Sequence, residues 1–122
     1  MIGYVTIGTN DFDRAVKFYD AIAEEMGAQR AMDFGAFVLW SNGQPGGMLA
    51  LCKPYDQQPA SVGNGGMTAL AAKDKAQVDR LHALALSLGG TDEGAPGPRS
   101  DTFYAAYFRD LDGNKLAAFH LG

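Results

Sequence analysis

Thr102–Leu121 reads TFYAAYFRDLDGNKLAAFHL. Aromatic and apolar residues flank Asp110-Leu111-Asp112-Gly113-Asn114, a polar run with a glycine near its end, which predicts strands over Thr102–Arg109 and Lys115–Leu121 joined as a hairpin. Upstream, Gly94–Asp101 is rich in Gly and Pro and reads as a loop, with a short strand near Thr91-Asp92-Glu93 before it. Val78, Leu81, Ala85 and Leu88 recur at helical spacing behind Asp74 and Gln77, a capping-box-like start, and the stripe stops at Gly89-Gly90. Met67–Ala72 precedes it as a strand. This half therefore reads β-α-β-β-β.

The first half has the same order. A shift of 63 residues lays Asp11 on Asp74, Ile7 on Leu70, Ala15 on Val78, Phe18 on Leu81 and Gly27 on Gly90. Ile2–Ile7 alternates as a strand, Asn10-Asp11 caps a helix carrying Ala15, Phe18, Tyr19, Ile22 and Met26, and Gly27 sits where a left-handed residue ends it. Ala28–Phe34, Ala36–Trp40 and Met48–Cys52 follow as strands. We expect an α+β fold of two tandem β-α-β-β-β modules, residues 1–53 and 67–122, within one domain spanning 1–122. Residues 54–66 form a polar connection, because neither four-stranded half would bury its sheet alone.

Composition agrees with a globular chain: 122 residues, 47% hydrophobic and 20% charged, with 16 glycines supplying the turns. No apolar run approaches a membrane span, and the start lacks the basic and apolar stretches of a signal peptide, so a cytoplasmic protein with no membrane partner is expected. A net charge of −4 offers no footprint for a phosphate backbone, which argues against nucleic acid. One cysteine, Cys52, excludes an internal disulfide and a cysteine-based zinc site.

The start GYVTIGTND with RAVKFY, the duplicated order and the ending FYAAYFRDLDGNKLAAF together resemble the glyoxalase, bleomycin-resistance and extradiol dioxygenase superfamily, also called vicinal oxygen chelate proteins. FRDLDGNKL is the most specific piece, similar to the family's F-x-D-P-D-G-N-x-[IL]-E. The resemblance implies a curved eight-stranded mixed sheet forming a cup, helices outside, and commonly a homodimer. It also implies a divalent metal held by a His or Gln on the first strand of each module and a Glu on the last. Carried onto this chain, those positions are Tyr4, Met67, Ala50 and Ala117. All four lack the usual donors for a hard metal, so no cofactor is expected, a divalent metal held elsewhere being the lesser alternative.

Strand alternation then turns Val5, Ile7, Leu49, Leu51, Thr68, Leu70, Leu116 and Ala118 toward the helices and the intervening residues into the cup. The expected ligand-facing residues are Tyr4, Thr6, Ala50, Cys52, Met67, Ala117 and Phe119, a lining suited to a small organic molecule; filling of a closed core by the same residues is the plain alternative. Arg99, on the rigid loop before the strand with Tyr104, is the candidate for holding a carboxylate or phosphate, against a solvated surface role, and Tyr104 joins it as a ligand-binding candidate. Cys52 reads as a buried thiol rather than a nucleophile, since His120 has the opposite parity. His82 is expected to be exposed or half-packed on its helix. The leading function is metal-independent binding of a small organic ligand in the cup; the competing one is a lyase, isomerase or dioxygenase-type enzyme acting through Tyr4 and Arg99 or an unrecognised metal site.

Overall fold

A computed structural model describes all residues, 1–122, as two compact units, Met1–Val62 and Gly63–Gly122, each built β-α-β-β-β. The first unit holds β1 (Tyr4–Gly8), α1 (Phe12–Glu25), β2 (Gln29–Asp33), β3 (Phe37–Ser41) and β4 (Met48–Cys52). The second holds β5 (Thr68–Ala71), α2 (Lys75–Ser87), β6 (Thr91–Pro98), β7 (Phe103–Arg109) and β8 (Lys115–Leu121). The eight strands hydrogen-bond as two mixed sheets of four, ordered β1-β4-β3-β2 and β5-β8-β7-β6. In each sheet the strand before the helix pairs in parallel with the last strand, and the other pairings are antiparallel. No helix is long and apolar enough to cross a membrane.

Both helices start and stop by the same chemistry. The Asp11 carboxylate accepts from the Arg14 amide at 3.2 Å and the Asp74 carboxylate from the Gln77 amide at 2.7 Å, satisfying amides that the first turn leaves without partners. Gln77 reaches back to accept from the Lys73 amide at 2.9 Å. At the far ends Ala28 N–H bonds the Ala23 carbonyl and Gly90 N–H the Ala85 carbonyl, across left-handed Gly27 (φ 71°) and Gly89 (φ 99°). The repeat of 63 thus holds at the caps and drops to 62 at the helix ends, because α2 is one residue shorter; the partner of Gly27 is Gly89, not Gly90.

Each helix lays its apolar stripe on one face of its own sheet. Phe18, Tyr19 and Ile22 of α1 are buried together with Ile7, Val38, Trp40 and Leu51, and the Trp40 indole donates to Asp20 at 2.9 Å. In the second unit Val78, Leu81 and Ala85 of α2 are fully buried, as are Phe108, Leu116 and Ala118 of the sheet. The turn between β7 and β8 is organised by buried Asp110, whose carboxylate accepts from the Asp112 and Asn114 amides and the Asn114 side chain, each at 2.9 Å. Gly113 supplies the positive φ of 90° that this turn needs.

One element departs from the sequence reading. The run Gly94–Pro98, expected as loop, continues β6, which spans eight residues and pairs with β7 as far as Pro98↔Tyr104. As an edge strand β6 needs only one row of hydrogen bonds, and the register shifts at Asp92/Gly94 and Gly94/Gly97 absorb residues that a central strand would reject.

Candidate functional site

Two side-chain hydrogen bonds fix which face of each sheet meets its helix. Trp40 bonds Asp20 of α1, so Trp40 and Val38 with their partners Leu49 and Leu51, and Val5 and Ile7 beyond them, face the helix. Tyr104 donates to Asp79 of α2 at 2.7 Å, which puts Tyr104, Ala106 and Phe108 and their partners His120, Ala118 and Leu116 on the helix side. The opposite faces carry Tyr4, Thr6, Met48, Ala50, Cys52 and Leu39 in the first unit. In the second they carry Ala69, Lys115, Ala117 and Phe119 with Ala105 and Tyr107.

Ala50 and Ala117 sit at the buried centres of these faces, while Tyr4 and Met67, the latter just before β5, are 57% and 47% exposed. In the first unit Tyr4 and Ala50 supply a phenol and a methyl group, in the second Met67 and Ala117 a thioether and a methyl group. Neither set fits a divalent metal of the kind the family resemblance implies, and no group of three His, Cys, Asp or Glu side chains is placed to hold one. Burial pushes the Cys52 thiol up, with a hydrogen bond to Thr6 working against it, which leaves a poor nucleophile.

Arg99 and Tyr104, paired as candidates in the sequence, separate in the structure. Arg99 follows β6 directly and folds over the helix-distal face: its Nη1 donates to the Gly97 carbonyl at 2.9 Å, its Nη2 to the Ala95 carbonyl at 2.8 Å, and the guanidinium carbon lies 5.3 Å from the centre of the Tyr107 ring. Tyr104 belongs to the helix side, where the hydrogen bond to Asp79 holds its phenol above the usual range. It thus acts as a strut between sheet and helix. Tyr107 is a helix-distal residue that the sequence reading left unnamed. Counting outward from the five-residue turn pairs Arg109 with Lys115 and Tyr107 with Ala117, so the hairpin itself carried the signal.

His82 also differs from expectation. It is buried, with Nε2 2.8 Å from a carboxylate oxygen of Asp92 on β6, and this contact together with the Gly94 amide holds Asp92 below the ordinary carboxylate range. His120 places Nδ1 3.3 Å from the Ala72 carbonyl on the helix side, away from the ligand-facing set.

On the helix side of the first unit an open groove of about 470 Å³ runs between the start of α1 and the β2–β3 hairpin, lined by Phe12, Val16, Lys17, Arg30, Asp33 and Val38. Its Arg30 is held by Asp20 at 2.6 Å and Asp33 at 2.8 Å, so the groove's strongest cation is already neutralised.

Comparisons with known proteins agree with this architecture. No curated protein matches the chain. A crystal structure of a glyoxalase/bleomycin resistance protein from Albidiferax ferrireducens T118 superposes with a TM-score of 0.91 at 36% identity, covering 100% of this chain and 99% of that one. A glyoxalase/bleomycin resistance protein/dioxygenase family enzyme from Burkholderia phytofirmans PsJN, at 19% identity and a TM-score of 0.77, covers 98% of both chains and shares the fold. So does a lactoylglutathione lyase from Agrobacterium tumefaciens, at 23% identity and a TM-score of 0.69, covering 98% of this chain and 92% of that one. With the family model matching residues 1–118 as well, the chain belongs to the Glyoxalase/Bleomycin resistance protein/Dioxygenase superfamily.

Proposed function

We propose that this protein binds a small, largely apolar organic molecule without the help of a metal, on the helix-distal sheet faces that carry Tyr4, Thr6, Ala50, Cys52, Met67, Ala117 and Phe119. One observation carries the reading: the positions from which superfamily members would hold a metal are here Tyr4, Ala50, Met67 and Ala117, an apolar set with a single hydroxyl. Such a surface removes apolar area from water when a ligand lands on it and orients that ligand through few polar points. The lactoylglutathione lyase likeness, at 23% identity, supplies a fold and not a reaction.

A thermal-shift screen of small organic molecules, run with and without a chelator, tests the reading. A ligand at about 100 times its dissociation constant stabilises the folded state by about 2.7 kcal/mol, a readily measured rise in melting temperature. Ala117→Phe, which fills the centre of one face, should abolish that rise while costing about 1–3 kcal/mol of stability through overpacking. A screen in which every hit vanished with chelator would overturn metal independence, and hits unaffected by Ala117→Phe would move the site elsewhere.

We further propose that the chain works as a homodimer. Each unit leaves unpaired sheet edges and exposed apolar side chains, Tyr4, Met32 and Phe34 in the first and Met67 and Leu121 in the second, that a second copy would cover. Light scattering should then return a mass near twice 12.9 kDa; a single species at 12.9 kDa over a wide concentration range would remove the proposal.

A further inference from the structure

In the second unit two cations converge on one aromatic ring. The Arg99 guanidinium carbon is 5.3 Å and the Lys115 ammonium 5.5 Å from the centre of the Tyr107 ring. They come from different neighbours in the sheet, Arg99 from the end of β6 and Lys115 from the start of β8, with Tyr107 on β7 between them. Neither cation meets a carboxylate. The adjacent Arg109, by contrast, is taken up by Glu93 at 2.6 Å.

The arrangement around Arg99 is built rather than incidental. Its two backbone acceptors, the Gly97 and Ala95 carbonyls, engage one hydrogen on each terminal nitrogen and leave the other donors of the fork uncommitted. The strand beneath must be nearly bare to allow this. A methyl group at Gly94 would come within 2.9 Å of Tyr107 Cδ2 and 3.3 Å of Arg99 Nη2, and one at Gly97 within 3.3 Å of Arg99 Nη1. Tyr107 is the register partner of Ala117, so the charged pair borders the centre of the proposed ligand face.

We propose that Arg99, Lys115 and the Tyr107 ring form an oxyanion subsite, and that the ligand of this face carries a carboxylate or phosphoryl group. The inference rests on the small-molecule reading for the apolar body of that ligand. Two cations on one ring, with no carboxylate against either, leave an uncompensated positive patch, and an oxyanion arriving there supplies the missing charge. The planar guanidinium fork suits two oxygens of one group, and the ammonium adds a point charge on the flank.

Benzoate, phenyl phosphate and uncharged benzamide share a ring and differ in charge, so their dissociation constants at low ionic strength test the subsite. Benzoate or phenyl phosphate should bind about tenfold tighter than benzamide, and the better of the two names the oxyanion. That preference should collapse at about 1 M salt, where the Debye length is about 3 Å. Lys115 makes no side-chain hydrogen bond, so Lys115→Gln is the decisive variant: it should erase most of the preference, as should Arg99→Gln, while Lys53→Gln at an exposed cation outside the cluster retains it. Equal binding of charged and neutral probes, or a preference that survives Lys115→Gln, overturns the subsite and leaves the small-molecule reading standing. Inorganic phosphate bound in a Lys115-dependent way while no aryl probe binds supports the subsite and defeats the apolar-ligand reading. Absence of binding by all four probes overturns both.

Discussion

Phe108→Ala should cost about 3–5 kcal/mol of stability, the range for an aromatic removed from a closed core. Phe108 has no exposed surface and lies opposite Leu116 on the helix side of its sheet, in a unit where Val78, Leu81 and Ala85 are equally closed off. With so many neighbours pinned between a helix and a sheet, the void cannot collapse, so both the transfer and the cavity penalties apply. Since whole domains are stable by only about 5–15 kcal/mol, the variant should lose a large share of its folded population under mild denaturant. Urea titration followed by circular dichroism measures it; Trp40 is the single tryptophan and lies in the other unit, so its fluorescence reports there instead. A loss below 1 kcal/mol would mean that the second unit's core is not packed as described.

Gly90→Ala is the second large effect, and its origin is backbone crowding. A methyl group at this position would stand 2.7 Å from the Arg109 carbonyl oxygen and 2.8 Å from that of Ala85, and neither acceptor can swing aside as a flexible side chain would. The end of α2 and the end of β7 would have to move apart, for about 3 kcal/mol. Gly63→Ala is the matched control, since a methyl group there meets nothing within 4 Å and the backbone needs no left-handed conformation. The difference between their denaturation midpoints checks the claim; equal midpoints would refute it.

Much of this was legible because local chemistry and tertiary structure agree. Asp11 and Asp74 cap helices both as short polar residues before apolar stripes and as observed acceptors, and Asp110–Asn114 turns the chain where its composition says it should. Strand alternation placed Val5, Ile7, Leu49 and Leu51 on the helix side from sequence alone, because a slip of one residue would have exposed all of them. The failures came where pairing overrides composition. Gly94-Ala95-Pro96-Gly97-Pro98 is turn chemistry in isolation, and only β7 alongside makes it a strand. His82 differs for another reason: its hydrogen-bond partner Asp92, exposed on the strand expected at Thr91-Asp92-Glu93, comes from a separate element that helical spacing does not reveal. Tyr104 pairs with His120, and one register kept across the hairpin turns both toward α2. In Lys115 the sequence showed an inward cation, but its neighbours on that face became visible only once Tyr107 and Arg99 had places.

The proline-bearing edge strand has a bearing on how the protein behaves when crowded. Pro96 and Pro98 contribute no amide, and two register breaks displace the donors that remain, so the outer rim of β6 presents an interrupted row where a continuous ladder would invite another chain. A strand from a partly unfolded neighbour finds no template for fibril-like growth along this side. The same residues that disguise β6 in the sequence therefore guard it against aggregation in solution.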